Sequence, residues 1–507
     1  MELMSKKKFS SVVAWIRENE FLLVVVLLSV LLRIPSLFEP GWYGDEGIYL
    51  VMGEGLKKGL VWYRELHDNK PPLLYLLAAM AGSVTYFRAV LLGWMVATTV
   101  VFDRLSKKLM GEGWWQKLSL VIMVALSTLP CLEGNIANAE IFMMLPTMLG
   151  VLLLIRARKD KEGSKFDYLA SGICFSLAFL FKVPVLFETV GVVFFWVVME
   201  KGWKGVVKEL KRVGWYWMVA GFVLPVVLTV VYYYLVGAGA EYLRAAFLQN
   251  IGYLSSWQRG SMTKSGGSSE SGLMMRGVVL LVLTAVFGWG TKRMEWEYRM
   301  VGIWFLFALF GALLSERPYP HYLILAISSV ALLMGLLAKE WKKGERWLWT
   351  VMLTVVTMVG VVKYGFYFYP TMSYYGDFLQ MVKGEKSYEE YANDFDWRVE
   401  RTRELSSYLR EITDPGEKIF VWGDEPFVYF ESETLPVGRY IVAYHIVDFE
   451  AREETMEKLR EEKPRVVINM VSEKRKFEDF HAWRENNYGL AERISDAEVY
   501  IRVEAEK

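Results

Sequence analysis

The chain has 507 residues, 54% of them hydrophobic and 15% aromatic, with a formal net charge of +1. Near-balanced charge excludes a nucleic-acid binder driven by global electrostatics, and the apolar residues fall in blocks too long for ordinary soluble core helices. The two cysteines, Cys131 and Cys174, lie inside apolar blocks and read as buried free thiols rather than a disulfide, metal or redox motif.

In chain order, Lys6, Lys7 and Lys8 precede the apolar run Phe21 to Leu32. No small-x-small cleavage site follows, so the run reads as a retained anchor rather than a removed signal. Helices satisfy their own backbone in hydrocarbon, and about 17–25 apolar residues suffice to cross it. Such runs occur at 20–38, 86–103, 115–132, 138–155, 167–182, 184–200, 213–236, 274–290, 299–314, 320–338 and 347–367, about eleven in all. Loops rich in Lys and Arg, from Lys6/Lys7/Lys8/Arg17 to Lys339/Lys342/Lys343/Arg346, alternate with poorer ones. The positive-inside rule therefore places the N-terminus in the cytoplasm. Loops 39–85, 133–137, the turn near Lys182, 237–273 and 315–319 then lie outside, and an odd span count leaves the C-terminal segment outside too. The run Leu73 to Ala81 is too short to span and reads as an interfacial helix of the first outer loop. The serine- and glycine-rich loop 255–272 reads as a mobile outer linker.

From about residue 370 the composition turns charged. Amphipathic stretches at Asp396–Ile412 and Phe449–Glu461 flank strand-like runs at Lys418–Trp422 and Arg465–Met470. The expected architecture is an all-α polytopic membrane bundle over 1–369 and a small extracytoplasmic α/β domain over 370–507.

The first outer loop carries Gly44-Asp45-Glu46-Gly47-Ile48-Tyr49 and then His67-Asp68-Asn69-Lys70-Pro71-Pro72. Paired carboxylates beside a span are unusual, because nearby low dielectric disfavours ionised groups. On a helix starting at Asp45, Tyr49 lies one turn on and shares its face. Lys70 before two prolines is held extended at the membrane surface, where lipid phosphates lie. Taken singly, Asp45 and Glu46 also read as an N-cap pair, and Lys70 as a snorkelling lysine. In the other outer loops, Asn138 reads as a cap and Glu140 as a helix-dipole partner. Lys182 reads as a snorkelling lysine, Arg317 as a rim charge, and His321 as a structural histidine. Asp424, Glu425 and His445 have ordinary structural explanations. Yet Asp45, Glu46, His67, Lys70, Glu140, Lys182, Arg317 and His321 all map to one membrane face, where acids able to act as bases accompany cations able to hold a phosphate.

Gly44-Asp45-Glu46 with Tyr49, Lys70-Pro71-Pro72-Leu73, Arg88 opening the second span, Glu140 opening the fourth and His321-Tyr322 together resemble the GT-C glycosyltransferase superfamily. The likeness is to its protein O-mannosyltransferase and aminoarabinose transferase-like branch, over about residues 15–340 and most strongly over 41–90. The resemblance implies a multi-span bundle that uses a polyprenyl (dolichyl-type) phosphate sugar as donor. Asp45 would be the general base of an inverting displacement. Glu46 and Glu140 would position the acceptor, tune Asp45 or hold a divalent cation, Mg²⁺ or Mn²⁺, with Asp45 and Glu140 the candidate metal ligands. Lys70, Arg317, His321 and Tyr322 would bind the donor phosphate, supported by Tyr49, His67, Arg88 and Lys182. Glu140 stands where many relatives carry aspartate, and no acceptor signature is recognisable, which leaves glycan, lipid or protein open. The rival readings are a transporter, disfavoured because the spans hold few acidic residues, and a non-catalytic receptor for a glycan or lipid, which leaves the first-loop acids and Lys70 without a role.

Overall fold

The computed structural model describes residues 14–160, 164–200, 202, 205–249, 269–341 and 344–503. Lys6, Lys7, Lys8, Lys161, Lys201, Lys204, Lys342 and Lys343, and loop residues 255–268, lie outside that set. All eleven apolar runs are helical. Among the described residues seven helices are long and apolar enough to cross a membrane: Glu20–Leu37, Val84–Met110, Ala139–Lys159, Val213–Leu235, Gly272–Gly290, Pro320–Lys339 and Gly344–Tyr364. The remaining runs form shorter helices, Trp114–Thr128, Lys165–Phe181, Val185–Phe194 continued by a π-turn at Phe195–Met199, and Trp296–Ala312.

The chain divides into two compact units, one of Met1–Ile34, Leu91–Leu228 and Ile251–Thr371, the other of Pro35–Val90, Thr229–Asn250 and Met372–Lys507. In the first, burial sorts the helices by environment. The apolar windows of Ala139–Lys159 and Pro320–Lys339 are 72% and 78% buried, whereas that of Gly344–Tyr364 is 17% buried. An apolar helix covered on all sides is bundle core, and one left mostly uncovered presents a face that only lipid satisfies. Pro320–Lys339 packs on Trp114–Thr128 and Trp296–Ala312. Helices Lys165–Phe181 and Val213–Leu235 meet backbone to backbone, because Gly172 and Gly221 remove the side chains that would keep them apart. A Cβ at Gly172 would lie 2.0 Å from the Met218 carbonyl oxygen, and one at Gly221 2.1 Å from that of Leu169. Cys131 and Cys174 are free.

The second unit joins loop 39–85 to the charged C-terminal segment. Helix Gly44–Lys57 packs on Leu73–Ala81, which ends at Gly82 in the left-handed conformation (φ +69°). Five strands, β1 Lys418–Trp422, β2 Leu435–Pro436, β3 Val466–Met470, β4 Tyr488–Ile494 and β5 Ala497–Arg502, form a sheet of order β2-β1-β3-β5-β4. β1 runs parallel to β2 and β3, while β5 is antiparallel to β3 and β4. Phe420 and Trp422 of β1, Val467 of β3, and Phe477 and Phe480 fill its core. Helices Arg398–Ile412 and Arg452–Glu462 occupy the expected amphipathic stretches. The β4–β5 hairpin was not legible in sequence, since β4 alternates poorly and keeps Leu490 and Glu492 exposed.

Gly172→Leu is expected to separate the two helices and destabilise the first unit by about 1–3 kcal/mol, the usual range for overpacking. A thermal-unfolding scan of the detergent-solubilised variant checks this, and an unchanged midpoint would contradict the close approach.

Candidate active site

Helix Gly44–Lys57 begins with Tyr43 as N-cap, and no side chain caps it. Asp45 and Glu46 therefore sit in its first turn, pointing in different directions. Asp45 accepts a hydrogen bond from Tyr49 Oη at 2.9 Å, as the one-turn spacing predicts. Lys70 Nζ lies 3.5 Å from Asp45 Oδ2 and 3.4 Å from Asp68 Oδ2, and 5.0 Å from the centre of the Tyr49 ring. The two acids differ in access: the Asp45 side chain is 31% exposed and that of Asp68 is 0%. Tyr75 Oη donates to Asp68 Oδ2 at 2.8 Å and accepts the Lys70 backbone N–H at 3.0 Å, while Tyr63 Oη donates to the Lys70 carbonyl at 2.9 Å. Burial raises the pKa of Tyr63 and Tyr75 well above the ordinary phenol value, so both stay protonated donors. Tyr63 itself holds a positive φ of 71°, an uncommon conformation for a bulky residue. Lys70 is thus fixed by its main chain as well as its charge. Snorkelling does not describe it.

Glu46 gives both oxygens to Arg88, Nε to Oε1 at 3.0 Å and Nη2 to Oε2 at 2.5 Å. Arg88 Nη1 also donates to the Ser36 carbonyl at 3.0 Å and lies 3.2 Å from Glu39 Oε2. Glu39 accepts from Tyr374 Oη at 2.5 Å and Trp42 Nε1 at 3.0 Å. The Arg88, Glu46 and Glu39 side chains are fully buried. One guanidinium between two carboxylates, with each carboxylate oxygen hydrogen-bonded or ion-paired, is the condition under which buried charge is tolerated. It ties the helix carrying Asp45 to the start of helix Val84–Met110. His67 is buried against Tyr440, Phe449 and His445, and burial holds its pKa well below the usual imidazole value.

A second cluster lies within the membrane unit. Glu140, in the first turn of Ala139–Phe142, pairs with Lys182, and His321 Nε2 is 3.7 Å from Glu140 Oε1. His321 Nδ1 is 2.5 Å from Glu133 Oε2, which also accepts from Asn138 Nδ2 at 3.4 Å. Asn138 stands at the N-cap position of its helix as expected, but its side chain makes no capping hydrogen bond there. Lys182 lies 4.7 Å from the centre of the Tyr322 ring. Arg317 is half-buried in the turn before His321, its backbone N–H 3.4 Å from Ser315 Oγ. The loop holding Glu133 is pinned by Arg33, which donates to the Gly134 and Ser127 carbonyls at 2.8 and 2.5 Å.

Sequence reasoning gave Glu39 and Asp68 no role, although Asp68 stands two residues before Lys70. It also missed Glu188 in the helix Val185–Phe194, where Oε2 accepts from Trp304 Nε1 at 2.8 Å inside an otherwise apolar environment. Among the described residues no group of three or more His, Cys, Asp or Glu side chains is arranged to hold a metal ion. Asp45 and Glu140 face lysines instead, a pairing unlike a carboxylate cation cage.

Residues 94–240 match the family model described as dolichyl-phosphate-mannose-protein mannosyltransferase. The fold is similar to that of ArnT from Cupriavidus metallidurans bound to undecaprenyl phosphate, with a TM-score of 0.57, 12% identity, and coverage of 96% of this chain and 98% of that one. At that identity the likeness shows the fold, a multi-span helical bundle with a small C-terminal sheet. The apo state of the same ArnT gives a TM-score of 0.56 at the same identity and coverage. Arabinofuranosyltransferase AftD from Mycobacteria is a more distant match, with a TM-score of 0.43, 13% identity, and coverage of 96% of this chain and 40% of that one. No curated protein matches the sequence. The chain is a multi-pass membrane protein with a small C-terminal sheet, as the sequence implied.

Arg88→Ala leaves Glu39 and Glu46 buried without their cation, and is expected to destabilise the second unit by about 3–5 kcal/mol. Arg88→Lys keeps the charge but not the fork and should recover only part. Thermal midpoints and gel-filtration profiles of both variants check this, and a wild-type midpoint for Arg88→Ala would refute the clamp.

Proposed function

We propose that the protein transfers a sugar from a polyprenyl (dolichyl-type) phosphate to an acceptor hydroxyl at the extracytoplasmic face, by one displacement that inverts the anomeric carbon, with Asp45 as general base. The observation that carries this reading is Asp45 beside Lys70, a solvent-reachable carboxylate 3.5 Å from an ammonium whose own backbone is clamped. Asp45 takes the acceptor proton as the acceptor oxygen bonds to the anomeric carbon. The bond from that carbon to the phosphate oxygen breaks, and the phosphate leaves with the electron pair. Lys70 offsets the charge that develops there. The undecaprenyl phosphate bound to ArnT supports a polyprenyl phosphate donor for this chain. Such a lipid stays in the bilayer, since each buried methylene contributes about 0.8 kcal/mol, so the enzyme must reach it there.

Glu46 and Arg88 act by fixing the helix that bears Asp45, and Tyr49 orients its carboxylate. Glu140 with Lys182, and His321 with Tyr322 and Arg317, carry the same chemistry of acid, cation and aromatic ring within the membrane unit, and the same assignment to substrate binding.

Purified protein incubated with radiolabelled polyprenyl-phosphate sugars and a membrane extract tests the reading. Asp45→Asn should lose about 10²–10⁴-fold in transfer, the usual worth of a general base, with donor binding retained. Lys70→Ala should weaken both donor binding and rate. Wild-type turnover by Asp45→Asn would remove the base from Asp45.

The charge bias of the basic loops supports a cytoplasmic N-terminus, with residues after 370 outside. A periplasm- or lumen-active phosphatase fused at the C-terminus should be active, and a fluorescent protein that folds only in cytoplasm should stay dark there. The opposite pair of results would invert the topology.

A further inference from the structure

We propose that His445 is a positioning residue for this reaction, seating Asp68 and, through Asp68, holding the Lys70 ammonium where Asp45 can share it. The inference rests on the roles given above to Asp45 and Lys70, and it gives the C-terminal segment a part in the chemistry.

Short steps connect the four groups within one compact unit. His445 Nε2 lies 3.6 Å from Asp68 Oδ1, Asp68 Oδ2 lies 3.4 Å from Lys70 Nζ, and Lys70 Nζ lies 3.5 Å from Asp45 Oδ2. His445 and Asp68 are both buried, at 1% and 0% exposure, so water does not screen the contact. The other ligands of Asp68 are neutral: the Asn69 backbone N–H at 2.8 Å on Oδ1 and the Tyr75 hydroxyl at 2.8 Å on Oδ2.

The register that brings His445 here is set by main chain. The His67 N–H donates to the Arg439 carbonyl at 2.8 Å, His67 and Tyr440 form an isolated parallel bridge, and Arg439 Nη1 reaches the Tyr63 carbonyl at 3.4 Å. Residues 63–67 are in this way stitched to 439–440, and the short helix Ala443–Asp448 follows directly. His67 fills the space between them as a neutral ring. It packs 5.0 Å from Tyr440, 4.9 Å from Phe449 and 5.7 Å from His445, and neither ring nitrogen has a hydrogen-bond partner among the described residues.

The physical consequence concerns how one ammonium divides between two acids. Asp68 is buried and Asp45 is partly solvated, so Coulomb attraction alone favours Asp68. An imidazole with its Nε2 proton toward Asp68 offsets part of the Asp68 charge and leaves Lys70 shared. Without it, Asp68 draws Lys70 away from the phosphate it is proposed to hold.

The dissociation constant of undecaprenyl phosphate, measured by tryptophan fluorescence on the full-length protein in nanodiscs, tests this. His445→Ala is expected to weaken binding about tenfold, within the range of coupled neighbours. His445→Phe, which keeps the ring packing without a donor, should do the same, and His445→Gln should recover most of the loss. In a Lys70→Ala background the His445 substitutions should add almost nothing. Equal factors in the two backgrounds, or wild-type binding by His445→Phe, would overturn the inference while leaving the donor assignment intact. No binding by the wild type would overturn both.

Discussion

Lys70 stands between two carboxylates of unequal burial, and that arrangement constrains much of the second unit. An ammonium at 12% exposure is stable only if its partners are fixed, because each ionised group loses hydration that only directed contacts restore. The backbone of Lys70 is accordingly held by Tyr63 and Tyr75, and Asp68 is held by Tyr75 and Asn69. The helix that presents Asp45 is anchored by Glu46 on Arg88. Each adjacent acid of the Asp45-Glu46 pair has its own work, one facing solvent and a lysine, the other sealed on a guanidinium.

The membrane unit uses a related solution with different parts. Glu140 and Glu133 are buried, and they are matched by Lys182 and His321 drawn from loops far apart in sequence. Glu133 adopts a positive φ of 59° to do this, a conformation non-glycine residues seldom take, and Arg33 clamps the loop that holds it. Strain retained in a buried, charge-paired loop marks a place where geometry is favoured over backbone comfort. Glu188 shows the contrast, being a buried carboxyl in the first turn of its helix that accepts a hydrogen bond from the Trp304 indole.

The comparisons and the residues support each other at different scales. The family match spans 94–240, and the fold likeness runs across nearly the whole chain at 12% identity. At that identity the likeness speaks for the fold, and the proposed chemistry rests on the geometry of Asp45, Lys70 and their neighbours. The C-terminal segment gains meaning from the same residues, since His445 reaches Asp68 from a stretch whose sequence gave no functional signal.

The sequence by itself determined the membrane class, the helical runs and the approximate strands at 418–422 and 466–470, because hydrophobic length and period are local properties. It also predicted the Asp45–Tyr49 contact, a matter of helical spacing alone. Pairing across long separations was beyond it. That Glu46 pairs with Arg88, that Lys182 meets Glu140, and that the Asn138 amide donates to Glu133 were decided by the tertiary structure. A charged side chain's partner depends on which backbones the fold brings within a few ångströms, and no window of sequence contains that information.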